Sequence, residues 1–263
     1  MRSQTKITTV AAAVATAVLT AGVAFAATQN IERYPTWTIS PDDTEAQNHK
    51  GKLTFNLGSK FPDAGYTVKK SVFDGEDTEL LNGTDGEDWF TKDTPFGAEF
   101  GPTGPNAPEV NKVRYLKIRV GGPSVATATY TFKRPTPAGT LGFAVSDIDL
   151  DRLRITAKDA SGRAVAGSDL AGDVFNFCNV PAAGRPPECG SRETITPRLK
   201  NLSNGVILTS RDGEETQGAA AWFKPTVKIK QITFVFREVG SSGPSFRTWF
   251  AAKVKKQTQP VTG

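Results

Sequence analysis

The stretch VATATYTF, residues Val125 to Phe132, decides the fold class of this chain. Its small and aromatic residues alternate with β-branched ones. Successive side chains of a β-strand point to opposite faces, so this alternation predicts a strand with one buried and one polar face. Other short segments repeat the pattern, at residues 52–57, 113–120, 140–145, 153–157, 205–209, 227–236 and 245–252.

The segments between these strands carry turn signals rich in Gly and Pro, at residues 121–123, 135–139, 160–162 and 240–244. No stretch after residue 26 shows a sustained apolar period of 3.6 residues, which would indicate a helix. Many short strands with this punctuation predict an all-β chain, folded as an antiparallel β-sandwich or jelly roll with long loops.

The domain organisation follows from the same reading. Residues 27–252 predict one sandwich domain, because residues 27–72 alone have too little core to fold independently. Within it we expect N-terminal strands at 27–72, a loop-rich region at 73–108 and the main sandwich at 109–252. Residues 253–263 predict a flexible basic tail.

The first 26 residues have the features of a secretory signal peptide. Arg2 and Lys6 precede an uncharged run at residues 10–23, and Ala24-Phe25-Ala26 offers the small-x-small cleavage site. The run is too short and too rich in Ala and Thr for a membrane span. We therefore expect a secreted, extracellular protein that does not span a membrane.

The net charge is mild. The chain has 32 Lys and Arg against 27 Asp and Glu, and loss of Arg2 and Lys6 leaves 30 against 27. An excess this small, spread evenly along the sequence, does not favour nucleic acid as a partner.

Cys178 and Cys189 are the two cysteines. An even count outside the cytoplasm predicts a disulfide, and the intervening loop is rich in Pro and small residues. The bridge would stabilise this loop by roughly 2–3 kcal/mol in the loop-entropy picture.

The segment SDIDLD, residues 146–151, places Asp147, Asp149 and Asp151 at every second position. On a strand these carboxylates share one face, with Ile148 and Leu150 on the other. Three neighbouring anions repel unless water or a cation screens them, so one hypothesis is a calcium site. The alternative is a turn at a strand end, in which Asp147 accepts backbone hydrogen bonds.

A second acidic region runs from residue 74 to 88. Its carboxylates are further candidate calcium ligands, or they belong to ordinary Asp-Gly turns. These candidates are Asp74, Glu76, Asp77, Asp85 and Asp88.

Three adjacent aromatic pairs occur, at residues 89–90, 222–223 and 249–250. Neighbours on a strand face opposite sides, so each pair sends one ring inward and one outward. Trp89 has polar neighbours and is the candidate for contact with a carbohydrate ligand, whereas Trp222 and Trp249 lie in strand-like contexts typical of core.

The sequence gives little support for catalysis. The one histidine, His49, lies in a polar stretch, and no Gly-x-Ser-x-Gly elbow is present. Glycoside hydrolysis needs only two carboxylates at the right separation, so a secreted glycan hydrolase remains an alternative.

From Thr129 onward the chain resembles a family of β-sandwich modules in secreted and cell-surface actinobacterial proteins of adhesin-associated type. The resemblance rests on a Gly-Phe-x-x-x-Asp-Ile-Asp strand at 142–149, a following Asp-Ala-Ser-Gly turn, and pieces at 174–178, 218–225 and 247–252. It implies a jelly-roll-like fold and an extracellular location, and it implies no catalytic residues.

These observations together predict a secreted, non-enzymatic protein that binds polysaccharide or protein at the cell surface or in the extracellular matrix. Calcium is the candidate cofactor. Besides the hydrolase, a self-associating matrix or coat component is the other alternative.

Overall fold

The computed structural model describes residues 30–82, 93–101, 113–121, 124–148, 152–182, 185, 189–210, 218–237 and 245–255. For residues 30–33 and 82 it describes the backbone alone. The predicted signal peptide lies outside these residues.

Eight strands form one antiparallel sheet, in the spatial order β11-β12-β9-β14-β7-β4-β3-β2. Their bounds are β2 Thr36–Ser40, β3 Asn48–Thr54, β4 Ala64–Lys70, β7 Val125–Phe132, β9 Arg152–Lys158, β11 Arg198–Leu202, β12 Gly205–Thr209 and β14 Gln231–Arg237.

Seven strands form the second antiparallel sheet, in the order β10-β13-β8-β15-β6-β5, with β1 paired to β15. Their bounds are β1 Asn30–Arg33, β5 Thr78–Asn82, β6 Arg114–Arg119, β8 Leu141–Ser146, β10 Gly172–Asn176, β13 Ala219–Phe223 and β15 Ser245–Lys255. From β6 to β11 each strand lies in the sheet opposite to its predecessor, so every connection crosses between the layers.

The two sheets pack face to face around one inner core. Strand β7 shows how the sequence builds it, because Ala126, Ala128, Tyr130 and Phe132 are all fully buried while the residues between them face outward. The Tyr130 ring packs against Phe250 of the other sheet, with ring centroids 4.5 Å apart. The predicted antiparallel β-sandwich is therefore confirmed.

A second apolar cluster, which we call the outer cluster, covers the other face of the seven-stranded sheet. Helix α1 (Pro95–Phe100) and the Cys178–Cys189 disulfide lie over this face. Gly142 of β8 is needed here, because a Cβ at its position would lie 2.3 Å from the Phe100 ring. A short helix α2 (Gly167–Leu170) precedes β10. Among the described residues, neither helix is long or apolar enough to cross a membrane.

The two clusters explain two of the three adjacent aromatic pairs, and the third, at residues 89–90, lies outside the described residues. Trp249 belongs to the outer cluster and Phe250 to the inner core, so the pair sends one ring to each side of its sheet. Trp222 and Phe223 divide in the same way. The outward rings are covered, as expected for core positions.

The C-terminal boundary differs from the prediction. Strand β15 continues through Lys253 and Lys255 and pairs with β1, since Glu32 and Asn30 are their respective Cα partners. The Lys253 ammonium also donates to the Glu99 carbonyl over 2.9 Å. The predicted tail therefore starts too early by at least three residues, and residues 256–263 lie outside the described part.

Candidate functional site: a basic sheet face

Asp147, the first carboxylate of SDIDLD, lies where the chain leaves β8. The strand ends at Ser146, and Asp147 has a φ of 67°, so the chain bends here. The carboxylate accepts a hydrogen bond from the Ser245 hydroxyl and lies 3.7 Å from the Arg247 guanidinium. A strand through this point was therefore the wrong expectation. Asp147 does lie at a strand end, as in the alternative, but the contacts described here come from the Ser245 and Arg247 side chains, whereas the alternative expected backbone N–H donors.

The rest of SDIDLD is described only in part. Ile148 is fully buried, as expected, whereas Asp149 and Asp151 lie outside the described residues. Calcium binding by the three aspartates stays a prediction.

Asp74 is the partner of a buried lysine. Its carboxylate lies 3.1 Å from the Lys70 ammonium, and the two side chains are only 5% and 0% exposed. Backbone N–H groups of Glu76 and Gly121 donate to the same carboxylate, and Lys70 also donates to the Glu76 carbonyl. The lysine thus supplies the positive charge that a calcium ion would bring.

The pKa of Asp74 reflects these contacts. Burial raises it, but the backbone donors and the Lys70 ammonium outweigh burial and hold the pKa below its usual value. Asp77 accepts a hydrogen bond from the Thr44 hydroxyl over 2.9 Å. Among the described residues, no three His, Cys, Asp or Glu side chains are grouped so that they could hold a metal ion. Asp85, Asp88 and the candidate sugar contact Trp89 lie outside them.

His49 belongs to β3 and faces inward, instead of lying in a polar loop. It is 3% exposed, and neither ring nitrogen has a hydrogen bond of normal geometry within the described part of the chain. Burial lowers its pKa, an effect that the nearby Ala46 and Pro41 carbonyls only partly oppose.

The uncovered face of the eight-stranded sheet carries a feature that the sequence reading missed. We call it the basic face. Its strands contain no Asp or Glu at any position, yet their outward positions hold nine basic side chains. These are Lys50, Lys52, Lys69, Arg152, Arg154, Lys158, Arg198, Lys200 and Arg237, all exposed.

Threonines fill the middle of this face. Thr156, Thr233, Thr129 and Thr67 lie side by side on four neighbouring strands, at a strand spacing of about 4.8 Å. The hydroxyls of Thr129 and Thr233 lie 3.3 Å apart. The face therefore combines a central row of hydroxyl groups with positive charges around it.

This charge distribution carries an energetic cost that neutral or mixed charges would avoid. Arg152 and Arg237 are direct cross-strand partners, and like charges placed opposite each other destabilise a sheet. A glutamate at either position would replace the repulsion with an attraction worth roughly 0.2–1 kcal/mol. The absence of Asp and Glu from the eight described strands is a feature expected of a binding surface for an anion.

A rigid apolar turn borders the same face. Val125 is the cross-strand partner of Arg237, and it exchanges two hydrogen bonds of 2.9 Å with Ser71, so these two residues extend the row of Arg152 and Arg237. The chain then exposes Val72 and Phe73, which are 44% and 66% exposed. The buried Lys70–Asp74 pair fixes the turn from beneath, so Phe73 is held outward in place of packing into the core.

Comparison of the chain with protein-family models, with curated proteins and with solved structures found no match. The fold and the candidate surface therefore define the class of protein here: an all-β sandwich with one disulfide, one covered sheet and one basic sheet.

Proposed function

We propose that this protein is a secreted, non-enzymatic binding protein that uses the basic face to hold an anionic polysaccharide at the cell surface or in the extracellular matrix. The observation that carries the proposal is the segregation of charge: nine Lys and Arg and no acid on the strands of one uncovered sheet. Surfaces of one sign attract ligands of the other and raise their rate of encounter.

The threonine row favours a polysaccharide among polyanions. Hydroxyl groups both donate and accept hydrogen bonds, which matches the hydroxyls and carboxylates of an acidic sugar chain. Nucleic acid is less well matched, because readers of single strands stack bases on aromatic rings. The outward strand positions of this face carry no aromatic side chain.

Phe73 adds an apolar contact at the edge of the face. The exposed Phe73 ring, two residues beyond the contact of Ser71 with Val125, can cover one face of a sugar ring whose carboxylate reaches the guanidinium groups of the face. In this proposal, calcium bound by the SDIDLD aspartates would stabilise the loop between β8 and β9 and would not contact the polysaccharide.

Charge reversal on the basic face tests the proposal. Lys69, Arg152 and Arg237 are replaced together by Glu, and binding of the mature chain, residues 27–263, to polygalacturonate is measured by calorimetry. We expect binding by the wild type that weakens as salt is added, and a loss of roughly tenfold or more in the triple variant.

The matched control is a second triple variant in which Lys60, Lys228 and Lys255 become Glu. These exposed lysines lie off the strands of the face, and the change in net charge is the same. Equal loss in both variants would attribute binding to net charge and contradict the proposal. Equal affinity for polygalacturonate and for DNA would contradict the assignment to polysaccharide.

A further inference from the structure

A groove of ≈ 560 Å³ lies in the basic face, on the side where the eight-stranded sheet ends with β2. We call it the corner groove, and five outward-facing residues of β2, β3 and β4 define it. These are Ser40, Asn48, Lys50, Thr67 and Lys69. All five are exposed, so their polar side chains are accessible to a ligand that lies on the face.

The register of the strands brings these five side chains together. Lys50 of β3 is the cross-strand partner of Ser40 on one side and of Thr67 on the other. Asn48 and Lys69 form the next outward-facing pair along β3 and β4. Such positions lie about 4.8 Å apart across strands and about 6.8 Å apart along a strand, so both lysines can reach one acidic group of a ligand.

The chemistry of the corner groove suits an anion. It combines two ammonium groups with an amide and two hydroxyls, all of which donate hydrogen bonds. Within the described part of the chain, neither Lys50 nor Lys69 has an ion-pair partner, and no Asp or Glu lines the groove. Asp42, which follows β2, lines a different depression between β2 and β5.

Protection of the sheet edge does not explain these lysines. Lysines on an edge strand often prevent it from pairing with another chain. Here the edge strand β2 has no charged residue, and the two lysines lie on the second and third strands from the edge. Their unpaired charges are therefore available to a ligand.

Arg152 and Arg237 form a second positive cluster at a defined distance from the corner groove. Val125, the cross-strand partner of Arg237, is hydrogen-bonded to Ser71, two residues beyond Lys69. Arg237 and Lys69 are thus two strand spacings and two residues apart, which places their backbones about 12 Å from each other. A ligand that contacts both clusters therefore carries its acidic groups on separate sugar residues.

We propose that the corner groove is an anion subsite, which holds the acidic group of one sugar residue while Arg152 and Arg237 hold that of another residue of the same chain. The inference rests on the proposed function and adds the placement of the acidic groups that are recognised. Each exposed charge contact alone is weak, but one polysaccharide chain links the two, so that the second contact forms intramolecularly.

The first test compares two lysines of β3. Lys50→Gln removes a charge from the corner groove, whereas Lys52→Gln removes the same charge from an exposed position on the same strand that does not line it. Calorimetry of the mature chain with decagalacturonate should show a loss of affinity of roughly fivefold for Lys50→Gln and less than about twofold for Lys52→Gln. Equal losses would overturn the proposal.

A variant without a change of charge tests whether the groove makes defined contacts. Asn48→Ala removes the amide at an exposed position. We expect decagalacturonate to bind about threefold more weakly, at an unchanged melting temperature. Unchanged affinity would mean that only the charge of this region matters, which contradicts a subsite.

The length of the ligand tests the link between the two clusters. Per sugar residue, decagalacturonate should bind at least about tenfold more tightly than galacturonic acid, because a single residue reaches only one cluster. We expect this ratio to fall when Lys50 and Lys69 are both replaced by Gln. It should persist when Lys52 and Lys158 are replaced instead, and a ratio that is equal in the two double variants would overturn the proposal.

The results also separate this inference from the proposed function. The proposed function stands, and only the corner groove is overturned, if the variant with Glu at Lys69, Arg152 and Arg237 loses binding while Lys50→Gln and Lys52→Gln behave alike. No binding of decagalacturonate by the wild type would overturn both.

Discussion

Lys70 and Asp74 form a buried ion pair in which each side chain compensates the charge of the other. Removing one partner of a buried ion pair leaves an uncompensated charge, which costs about 3–5 kcal/mol. Both side chains are nearly inaccessible here, and the carboxylate also holds the turn through the Gly121 N–H. The pair therefore belongs to the stability of the fold, in a segment whose sequence suggested a metal.

Asp74→Ala tests this role against the calcium hypothesis. We expect a loss of about 3 kcal/mol or more in the free energy of unfolding, equal in EDTA and in millimolar calcium. The measurement is urea denaturation under both conditions, with Asp173→Ala, at an exposed position outside the acidic region, as the control. A loss of unfolding free energy seen only in calcium would indicate that Asp74 is a calcium ligand.

His49 makes the stability of the fold depend on pH. Its pKa is lower in the folded than in the unfolded chain, where it lies near 6.5, so the unfolded state binds the proton more readily. The free energy of unfolding should therefore fall as the pH drops below about 6.5. Below the pKa of His49 in the folded chain, both states are protonated, and His49 causes no further decrease.

The chain has one histidine, so the effect can be attributed to it. We expect His49→Gln to show a smaller decrease in the free energy of unfolding between pH 7.5 and 5 than the wild type, whatever its absolute stability. Urea denaturation across this range measures both slopes. Identical slopes would mean that His49 titrates normally in the folded chain.

At the level of single residues the sequence predicted burial better than it predicted partners. The alternation around Tyr130 placed that ring inside, and the cysteines paired as expected. The ion pair of Asp74 with Lys70 could not be predicted from the sequence. Lys70 is the last residue of a strand, and nothing in the sequence indicates that its side chain is buried. The bend at Asp147 requires a left-handed backbone conformation, which the alternating pattern of SDIDLD does not indicate.

At the level of elements, the disulfide and helix α1 cover the outer face of the seven-stranded sheet. Cys178 and Cys189 are 0% and 7% exposed and belong to the outer cluster. The sequence predicted the bridge and the buried Trp249. The sequence did not predict that helix α1 covers this face, because the helix has only six residues and no full amphipathic period.

Replacing Cys178 and Cys189 together by Ser tests how much the disulfide contributes to the stability of the fold. With a separation of 11 residues, loop entropy predicts a loss of roughly 3 kcal/mol in the free energy of unfolding. Thermal denaturation of the variant and the wild type, with and without reductant, measures it. If reductant also lowers the melting temperature of the double variant, the effect of the reductant does not come from cleavage of the disulfide.

The turn with Phe73 links an element to the proposed function. Because Phe73 is 66% exposed, Phe73→Ala should leave the melting temperature unchanged while weakening polygalacturonate binding several-fold. Calorimetry and thermal denaturation on the same sample separate the two effects, and Val227→Ala at a partly buried site provides the contrast. Unchanged binding would remove Phe73 from the ligand surface.

At the level of the whole molecule, acidic residues are absent from the strands of one sheet, whereas the strands of the other sheet carry charges of both signs. The net excess of basic residues is small, but the fold gathers nine of them on one side, and the seven-stranded sheet contains acidic residues such as Glu79 and Asp173. The signal in the sequence was the absence of Asp and Glu from particular strands. It could not be read in advance, because sheet membership depends on pairings between distant strands such as β4 with β7.

The central claim is that the basic face is the surface that contacts an anionic polysaccharide. The most direct measurement is a ¹H–¹⁵N titration of the mature chain with an oligogalacturonate, mapped onto the assigned backbone amides. The account predicts shifts concentrated at Thr67, Thr129, Thr156 and Thr233 and at their basic neighbours, which fade as salt is raised. Shifts on the covered sheet instead, or none on the eight-stranded sheet, would contradict it.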